Sequence, residues 1–323
     1  MNQNEYDNKI KIESEGSMIE QNQGQGTSAF VAIVGRPNVG KSSILNRLVG
    51  KKIAIVSQRP QTTRTRIMGV VTKENRQLIF IDTPGLMRPK NALGDYMVKS
   101  VEQSVAGVDL CLLVVEAGRG LSKADEELME RFRKLDMPAV LAINKIDLLA
   151  DKSLLMTQID CYRKAFPFSA IVPVSARDGD GLSALETELN AFAQEQGFLF
   201  PEDTLTDQPE RVIVSEIVRE KLLRVMDQEI PHGTAVVTEQ MKERGSLLDL
   251  SVTIYCERKN HKGMIIGKGG EMLKKIGTLA RLDIEGFFGC KVNLKLWVKV
   301  KEDWRQRPEL LRHMGYDQKE ILS

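Results

Sequence analysis

The sequence predicts an α/β protein of two domains, a larger one with a mostly parallel sheet and a smaller α+β one after it. Three observations predict this. Short apolar runs alternate with helical stretches from residue 29 to about residue 200, which is typical of strands covered on both faces. A glycine-rich loop joins the first apolar run to a helical stretch. Beyond residue 210 the order becomes helix, two strands, a helix pair joined by a glycine turn, and a last strand.

The composition is ordinary for a globular protein, with 323 residues, 42% hydrophobic and 28% charged residues and a net charge of +2. The four cysteines are far apart and form no C-x-x-C pair, which argues against disulfides and a zinc site. No apolar run approaches the roughly 18 residues of a membrane-spanning helix, and the polar N-terminus has no signal-like core. We therefore expect a cytoplasmic protein. The predicted divisions are a disordered tail (1–28), the first domain (29–200), a linker (201–210), the second domain (211–307) and a C-terminal tail (308–323).

The strands of the first domain are predicted from apolar runs of buried-strand length. They lie at residues 29–34, 78–81, 110–115, 139–143 and 171–174. Helices are predicted at 44–49, where Gly50 is the stop signal, at Lys123–Lys134 and at 183–194. Ligands of such sheets bind at the carboxyl ends of the strands, so the loops after these runs are the candidate site.

The loop after the first run matches the phosphate-loop pattern G-x-x-x-x-G-K-[ST]. Its backbone amides and the helix N-terminus behind it can bind an anion. Lys41 would reach the β- and γ-phosphates, and the Ser42 hydroxyl would ligate Mg²⁺. A chance glycine-rich turn is the alternative, and the flanking strand and helix disfavour it. The predicted nucleotide-binding residues are Gly35, Arg36, Pro37, Asn38, Val39, Gly40, Lys41, Ser42 and Ser43.

The second motif, Asp82-Thr83-Pro84-Gly85, directly follows the strand at 78–81. In a phosphate-loop domain an aspartate here holds Mg²⁺, commonly through water, and the Gly85 amide can sense the γ-phosphate. An ordinary D-x-P-G turn is the alternative. The position after a strand of this domain favours the functional interpretation.

The third motif, Asn144-Lys145-Ile146-Asp147, also follows a strand. The Asp147 carboxylate can accept hydrogen bonds from guanine N1–H and the exocyclic amine together, a pair of donors that adenine lacks. Asn144 can bond the base edge or tie loops together, and the Lys145 stem can pack over the ring. The backbone of Ser175 and Ala176, after the next strand, is a candidate contact to the guanine carbonyl. The three motifs in this order predict a site for GTP and GDP.

Between the first two motifs lies a polar loop at residues 58–66. One threonine of this loop should complete the Mg²⁺ shell when the γ-phosphate is present. We choose Thr63, with Thr62 as the alternative, and interpret the arginines of the loop as solvated surface.

The second domain is predicted to bind single-stranded RNA. The G-x-x-G turn at residues 267–270 joins two short helical stretches, as in KH modules, where it clamps four nucleotides. Residues 255–301 carry eleven basic and four acidic side chains, an excess suited to a phosphate backbone. Trp297 is interpreted as a packing residue, with base stacking as the alternative. The predicted RNA-binding residues are Lys262, Gly267, Lys268, Gly269, Gly270, Lys274 and Lys275.

The motifs G-R-P-N-V-G-K-S, Q-T-T-R, D-T-P-G-L, N-K-I-D and S-A resemble those of translation-factor-related GTPases. With the type II KH arrangement, the chain from residue 30 to about 307 resembles the Era family of ribosome-assembly GTPases. The resemblance implies GTP hydrolysis, with Lys41, Thr63, Asp82, Gly85 and Asn38 as catalytic residues. It also implies binding near the 3′ end of small-subunit ribosomal RNA and assistance to 30S assembly.

Two details follow from the resemblance, and several alternative functions stay open beside it. Leu86 stands after D-x-P-G, so no glutamine is available there to orient water, and Asn38 is associated with a K⁺ ion that offsets transition-state charge. The alternatives are a GTPase of tRNA modification or another RNA-processing step, and a static RNA-binding protein with a degenerate nucleotide domain. A peripheral role at the inner face of the cell membrane, through the basic KH surface, is also open. We expect a monomer.

Overall fold

The structure is a computed structural model that describes residues 26–57, 59, 62–84, 107–226 and 233–316. Its first domain is built on a six-stranded sheet in the order β2-β3-β1-β4-β5-β6. The strands are β1 (Thr27–Val34), β2 (Ile67–Lys73), β3 (Arg76–Asp82), β4 (Leu110–Glu116), β5 (Ala139–Asn144) and β6 (Ala170–Val174). β2 pairs antiparallel with β3, and the remaining pairs are parallel. The predicted mostly parallel sheet is therefore confirmed.

Helices cover both faces of this sheet. They are α1 (Lys41–Val49), α2 (Lys123–Lys134), α3 (Ser153–Ala165) and α4 (Leu182–Asn190). Alternate residues of β1 show the two faces: Ile33 packs with α1 and α4, whereas Ala32 packs with α2 and α3. Burial on both faces is why the central strands read as continuous apolar runs.

Among the described elements of this domain, strand β2 and helix α3 were not predicted from the sequence. β2 follows a polar loop and carries Gly69, where an added Cβ would lie 2.7 Å from Leu45 Cδ1. Gly69 therefore lets β2 pack closely against α1. A glycine inside a strand weakens its sequence pattern, so the pattern did not predict β2. α3 buries only Gln158 and Tyr162, so its apolar periodicity is weak. β1 begins at Thr27, two residues before the predicted start of the domain, because Ser28 is fully buried and exchanges backbone hydrogen bonds with Gln194.

Within its described residues, the second domain has three helices on one face of a three-stranded sheet. The helices are α5 (Glu210–Val225), α6 (Lys259–Ile266) and α7 (Glu271–Phe288), and the strands are β7 (Thr234–Arg244), β8 (Leu247–Cys256) and β9 (Lys291–Val300). The strand order is β7-β8-β9, with β7 antiparallel and β9 parallel to β8. This is the predicted type II KH order. The core lies between the sheet and α5, α6 and α7.

The C-terminal segment covers one end of the opposite face of the small sheet. It contains a 3₁₀ turn (Trp304–Gln306) and helix α8 (Pro308–His313). Trp304, Met314 and Tyr316 form a separate apolar cluster with Ala235 of β7 and Tyr255 of β8. The residues predicted as a C-terminal tail are thus packed on the domain as far as Tyr316.

The segment between the domains runs along the edge of the large sheet. The Val70 amide donates to the Leu205 carbonyl at 2.9 Å, and the Thr206 hydroxyl donates to the Met68 carbonyl at 2.6 Å. These bonds pair part of the otherwise open edge of β2. The exact domain limits stay a prediction.

Candidate nucleotide site and RNA groove

The phosphate loop connects β1 to α1 and depends on two glycines. Gly35 has φ 146°, and an added Cβ would lie 2.3 Å from the Val114 carbonyl oxygen. Gly40 has φ 101°, and an added Cβ would lie 2.1 Å from Asn144 Nδ2. Side chains are excluded at both positions. Among the described contacts no side chain caps the N-terminus of α1, so its first amides face the loop as anion donors.

Lys41, the first residue of α1, is 6% exposed. Its Nζ donates to the carbonyls of Gly35 and Arg36, each at 3.1 Å, and so lies across the loop. Burial lowers the pKa of Lys41 to about 8, with the Asp82 carboxylate opposing the shift. A bound phosphate would place a negative charge beside the Lys41 ammonium and so favour its protonated form.

Three oxygen-bearing side chains meet next to Lys41. Ser42 Oγ donates to Asp82 Oδ2 at 2.6 Å and lies 2.9 Å from Thr63 Oγ1. Asp82 Oδ1 is buried and accepts no hydrogen bond within the described part of the chain. Burial raises the pKa of Asp82 to about 6, although Lys41 and the Ser42 hydroxyl act against the rise. An all-oxygen set with one unsatisfied carboxylate oxygen fits Mg²⁺.

Thr62 and Thr63 differ in what their hydroxyls contact. Thr62 Oγ1 donates to the Arg59 carbonyl at 2.6 Å, whereas Thr63 Oγ1 faces Ser42. The geometry therefore favours Thr63 for the cation. Gly85 and Leu86, which the sequence places beside this centre, lie outside the described residues.

Asn144, at the end of β5, ties the loops of the site together. Its Nδ2 donates to the Val39 carbonyl at 2.8 Å, and its Oδ1 accepts from the Ala176 amide at 3.1 Å. Asn144 was predicted either to bond the base edge or to connect loops, and these two hydrogen bonds show that it connects loops. Arg47 of α1, which the sequence did not single out, donates to the Ala176 carbonyl at 2.8 Å and holds the same loop from the other side.

Asp147, Lys145 and Ser175 form the end of the site that is predicted to bind the base. Asp147 Oδ1 accepts from Ser175 Oγ at 2.7 Å, and Oδ2 pairs with Arg177 at 3.1 Å. Lys145 adopts φ 68° and its Nζ lies 2.8 Å from Glu116 Oε2. The Asp147 side chain is only 7% exposed, and partners at both carboxylate oxygens fix its orientation.

A cavity of about 980 Å³ lies over the phosphate loop and extends to Lys145 and Leu148 beside the predicted base end. The first domain contributes residues of the phosphate loop, the following loop and the N-K-I-D motif to its wall. The second domain contributes Glu220, Leu223 and Arg224 of α5. Sequence reasoning missed this contribution because α5 lies far along the chain and carries none of the nucleotide motifs.

The predicted RNA-binding residues surround the turn between α6 and α7. Gly267 has φ 75°, and an added Cβ would lie 2.7 Å from Met272 Cβ. Gly269 and Gly270 also have positive φ, and their Cα atoms face open space. The side chains of Lys262, Lys268, Lys274 and Lys275 are all exposed. The turn thus presents backbone and positive charge to solvent.

A groove of about 390 Å³ continues from this turn between α7 and β9. Leu294 and Leu296 of β9 form its partly exposed apolar floor, and Lys274 and Arg281 of α7 lie along its rim. The half-exposed leucines can contact unstacked bases, and the basic side chains beside them can contact the phosphates that join those bases.

Trp297 does not pack into the core, so that interpretation is wrong. It is 58% exposed, because it lies on the face of β9 opposite to Val298 and the helices. Lys295 and Lys299 are exposed on the same face.

The helices of the described part of the chain include none with the length and apolar character needed to cross a membrane.

The fold and the site together define a phosphate-loop GTPase domain that is joined to a KH domain. A family model described as "50S ribosome-binding GTPase" matches residues 30–145, and a KH-domain model matches residues 229–305. The chain belongs to the Era family of GTPases. It is 47% identical over 292 residues to the GTPase Era of Alkaliphilus metalliredigens, covering 90% of this chain and 99% of the relative. The GTPase Era of Clostridioides difficile is 47% identical over 294 residues, with the same coverage.

Two solved structures are similar over the same extent. A variant of Aquifex aeolicus Era bound to GDP·AlF4⁻ has a TM-score of 0.86 and 41% identity, covering 90% of this chain and 99% of its own. A complex of Era with MgGDPNP and nucleotides 1506–1542 of 16S ribosomal RNA gives the same four values. The predicted family, fold class and GTPase activity are confirmed.

Proposed function

We propose that this GTPase is a switch that binds small-subunit ribosomal RNA near its 3′ end and assists 30S maturation. The observation that carries the proposal is that α5 of the KH domain lines the nucleotide cavity. The same domain presents the G-x-x-G groove. A change at the nucleotide can therefore act on the domain that would hold RNA.

In the proposed site Lys41 binds the β- and γ-phosphates, and Asp147 binds the guanine edge. Ser42 and Thr63 would hold Mg²⁺ directly and Asp82 would hold it through water, and the bound ion would supply charge neutralisation at the phosphate oxygens. The backbone of the phosphate loop and the first turn of α1 orient the phosphates. The Gly85 amide and Leu86 belong to this proposal on the sequence alone. Positioning and charge stabilisation carry the reaction, with water as the nucleophile.

A K⁺ ion near Asn38 is the proposed substitute for a charge-stabilising side chain. Asn38 lines the cavity and adopts φ 66°, which bends the loop at this residue. GTP turnover measured in K⁺ and in Na⁺ tests the idea. We expect faster turnover in K⁺ and loss of that difference in Asn38→Ala. Equal rates in both salts, unchanged in the variant, would exclude the ion.

The RNA partner is proposed from the exposed G-x-x-G turn and from the relative that was solved with nucleotides 1506–1542 of 16S ribosomal RNA. Ultraviolet crosslinking to total RNA, with GTP and with GDP, tests it. We expect crosslinks near the 3′ end of small-subunit RNA that differ between the two nucleotides. If crosslinks miss that RNA in both states, the assembly role is wrong and another RNA-processing step is favoured.

The description of the first family model names the 50S subunit, but that model covers only residues 30–145. The KH domain, which would select the RNA, lies outside it. Co-sedimentation with purified 30S and 50S subunits separates the two targets. Retention by 50S alone would contradict the small-subunit proposal.

We further propose a cytoplasmic monomer, with contact to anionic lipid as an additional role of the basic KH face. Sedimentation velocity tests the monomer. Flotation with vesicles that contain phosphatidylserine tests the lipid contact, and RNA should compete if the same face is used. Binding that RNA does not reduce would assign lipid to another surface.

A further inference from the structure

The loop that contains Thr63 is held by the second domain at the two residues that flank Thr63, which are Thr62 and Arg64. Thr63 is 7% exposed and lies 2.9 Å, oxygen to oxygen, from the Ser42 hydroxyl. Arg64 follows it directly, and its side chain is buried at 1% exposure. The sequence-based interpretation of Arg64 as solvated surface is therefore wrong.

The Arg64 side chain extends from the GTPase domain into a pocket, the Arg64 pocket, which is formed by Thr234 of the KH domain and by Trp304 and Tyr316 of the C-terminal segment. Its Nη1 donates to the Thr234 carbonyl at 2.7 Å and to the Tyr316 hydroxyl at 3.2 Å. Its guanidinium carbon lies 5.9 Å from the centre of the Trp304 ring. A buried guanidinium is stable only while such partners are present. The Arg64 pocket therefore fixes the side chain and, through it, the backbone at Arg64.

The two aromatic residues of the Arg64 pocket are themselves held in place. Trp304 and Tyr316 stack with ring centroids 6.0 Å apart and an interplanar angle of 18°. Trp304 Nε1 donates to the Gly233 carbonyl at 3.0 Å, immediately before β7. The C-terminal segment therefore helps to hold Arg64 as well as covering the sheet.

Arg219 of α5 holds the residue on the other side of Thr63. Its Nη2 donates to the Thr62 carbonyl, and it is 1% exposed. Its Nε donates to Glu216 Oε1 at 2.7 Å, and this ion pair sets the direction of the guanidinium. Thr63 is thus bracketed by two buried arginine contacts that both involve the second domain.

We propose that Arg64 and Arg219 are positioning residues that hold Thr63 at the Mg²⁺ centre, so that the KH domain and the C-terminal segment set the Mg²⁺ affinity of the GTP-bound site. The inference rests on the proposed role of Thr63. A polar loop loses conformational entropy when it is ordered, and partners that fix it beforehand reduce that cost. Because binding linkage is reciprocal, GTP with Mg²⁺ also stabilises this arrangement of the KH domain.

The effect should be specific for the triphosphate. The loop completes the cation shell when the γ-phosphate is present, whereas GDP is held by the phosphate loop and the base end. Loss of a positioning arginine should leave GDP affinity intact and weaken the GTP complex most at limiting Mg²⁺. A general folding defect would weaken both nucleotides.

The test uses the full chain and the variants Arg64→Ala and Tyr316→Phe. The affinities for GDP and for a non-hydrolysable GTP analogue are measured by calorimetry across a Mg²⁺ titration. For Arg64→Ala we expect GDP affinity within about twofold of the parent, and analogue affinity at limiting Mg²⁺ reduced roughly 10- to 100-fold, the factor for a hydrogen bond to a charged group. Tyr316→Phe, remote from the nucleotide, should shift the analogue in the same direction by a few-fold. GTP turnover should fall with the analogue affinity and recover in part at high Mg²⁺.

Arg66→Ala is the matched control, because it removes the same charge from a half-buried position of the same loop. It should show the parent's Mg²⁺ dependence. If both test variants keep the parent's Mg²⁺ dependence, or if both lose GDP and analogue affinity equally, the inference is wrong. If the parent itself does not bind GTP with Mg²⁺, the proposed function fails instead.

Discussion

Replacing Asp147 by asparagine should move the base preference from guanine towards xanthine. The change has little structural cost. The asparagine side chain keeps an oxygen that can accept from Ser175 Oγ, which lies 2.7 Å from Asp147 Oδ1 in the parent. The ion pair that is lost, with Arg177, is to a side chain that is 64% exposed and contributes little.

The cost for guanine is much larger. Asp147 offers two acceptors to the two guanine donors, and asparagine offers one acceptor and an opposing donor. Losing a charge-assisted bond costs about 1.5–3 kcal/mol, and leaving a buried donor unpaired costs about 1–3 kcal/mol more. Their sum corresponds to a loss of roughly 10²- to 10⁴-fold in GTP affinity. Xanthine carries a carbonyl in place of the amine, so the asparagine amide can pair with it.

Competition of GTP, ATP and XTP against a fluorescent nucleotide measures this preference. Asp178→Asn is the control, because it removes the same charge from an exposed residue that also pairs with Arg177. GTP affinity should be unchanged in the control. Undiminished GTP affinity in Asp147→Asn, or loss of GTP and XTP affinity to the same extent, would refute the assignment of Asp147 to the base edge.

Three further predictions concern other parts of the molecule. Below pH 6 the affinity for GTP with Mg²⁺ should fall by up to about tenfold per pH unit, because the pKa of Asp82 is raised to about 6 and the protonated carboxyl cannot serve the cation. A pH-independent Mg²⁺ titration between pH 5 and 7 would contradict this. Gly269→Asp should weaken RNA binding in a filter assay and leave GTP affinity intact, because it adds a carboxylate to the exposed turn. Gly286→Asp, elsewhere on α7, should bind RNA normally, and equal loss in both would assign the effect to net charge. Lys52→Met should lower the free energy of unfolding by about 1–3 kcal/mol, because Lys52 pairs with both Glu220 at 2.7 Å and Asp283 at 2.8 Å, and the Glu220 side chain is only 7% exposed. An unchanged free energy of unfolding would contradict this.

The nucleotide motifs could be predicted because their information is local. Each motif directly follows an apolar strand, and parallel strands bring their carboxyl ends together at one edge. Asp82 and Asn144 therefore lie where the alternation of runs and loops placed them. The KH order was also local, because each of its elements carries its own apolar period and the glycine turn marks the helix pair.

Long-range contacts carry what the sequence could not predict. Arg64 looked like a solvated loop residue because its partners, Thr234 and Tyr316, lie 170 and 252 residues further along the chain. The exposure of Trp297 depends on which face of β9 meets the helices, and a strand with three lysines alternating among apolar residues left its parity ambiguous. No local period encodes either fact.

The path between the two sites follows from the packing of α5. Its C-terminal half contacts the Thr63 loop through Arg219 and lines the nucleotide cavity with Leu223. Its apolar face packs in the KH core against α7, the helix that begins directly after the G-x-x-G turn. Asp283 of α7 also pairs with Lys52 of the GTPase domain at 2.8 Å. Because α7 is a continuous helix from Glu271 to Phe288, a shift at Asp283 or along α5 moves the turn with it. Under the proposed function, these two helices are the route by which a nucleotide-dependent change in the Thr63 loop would reach the RNA groove.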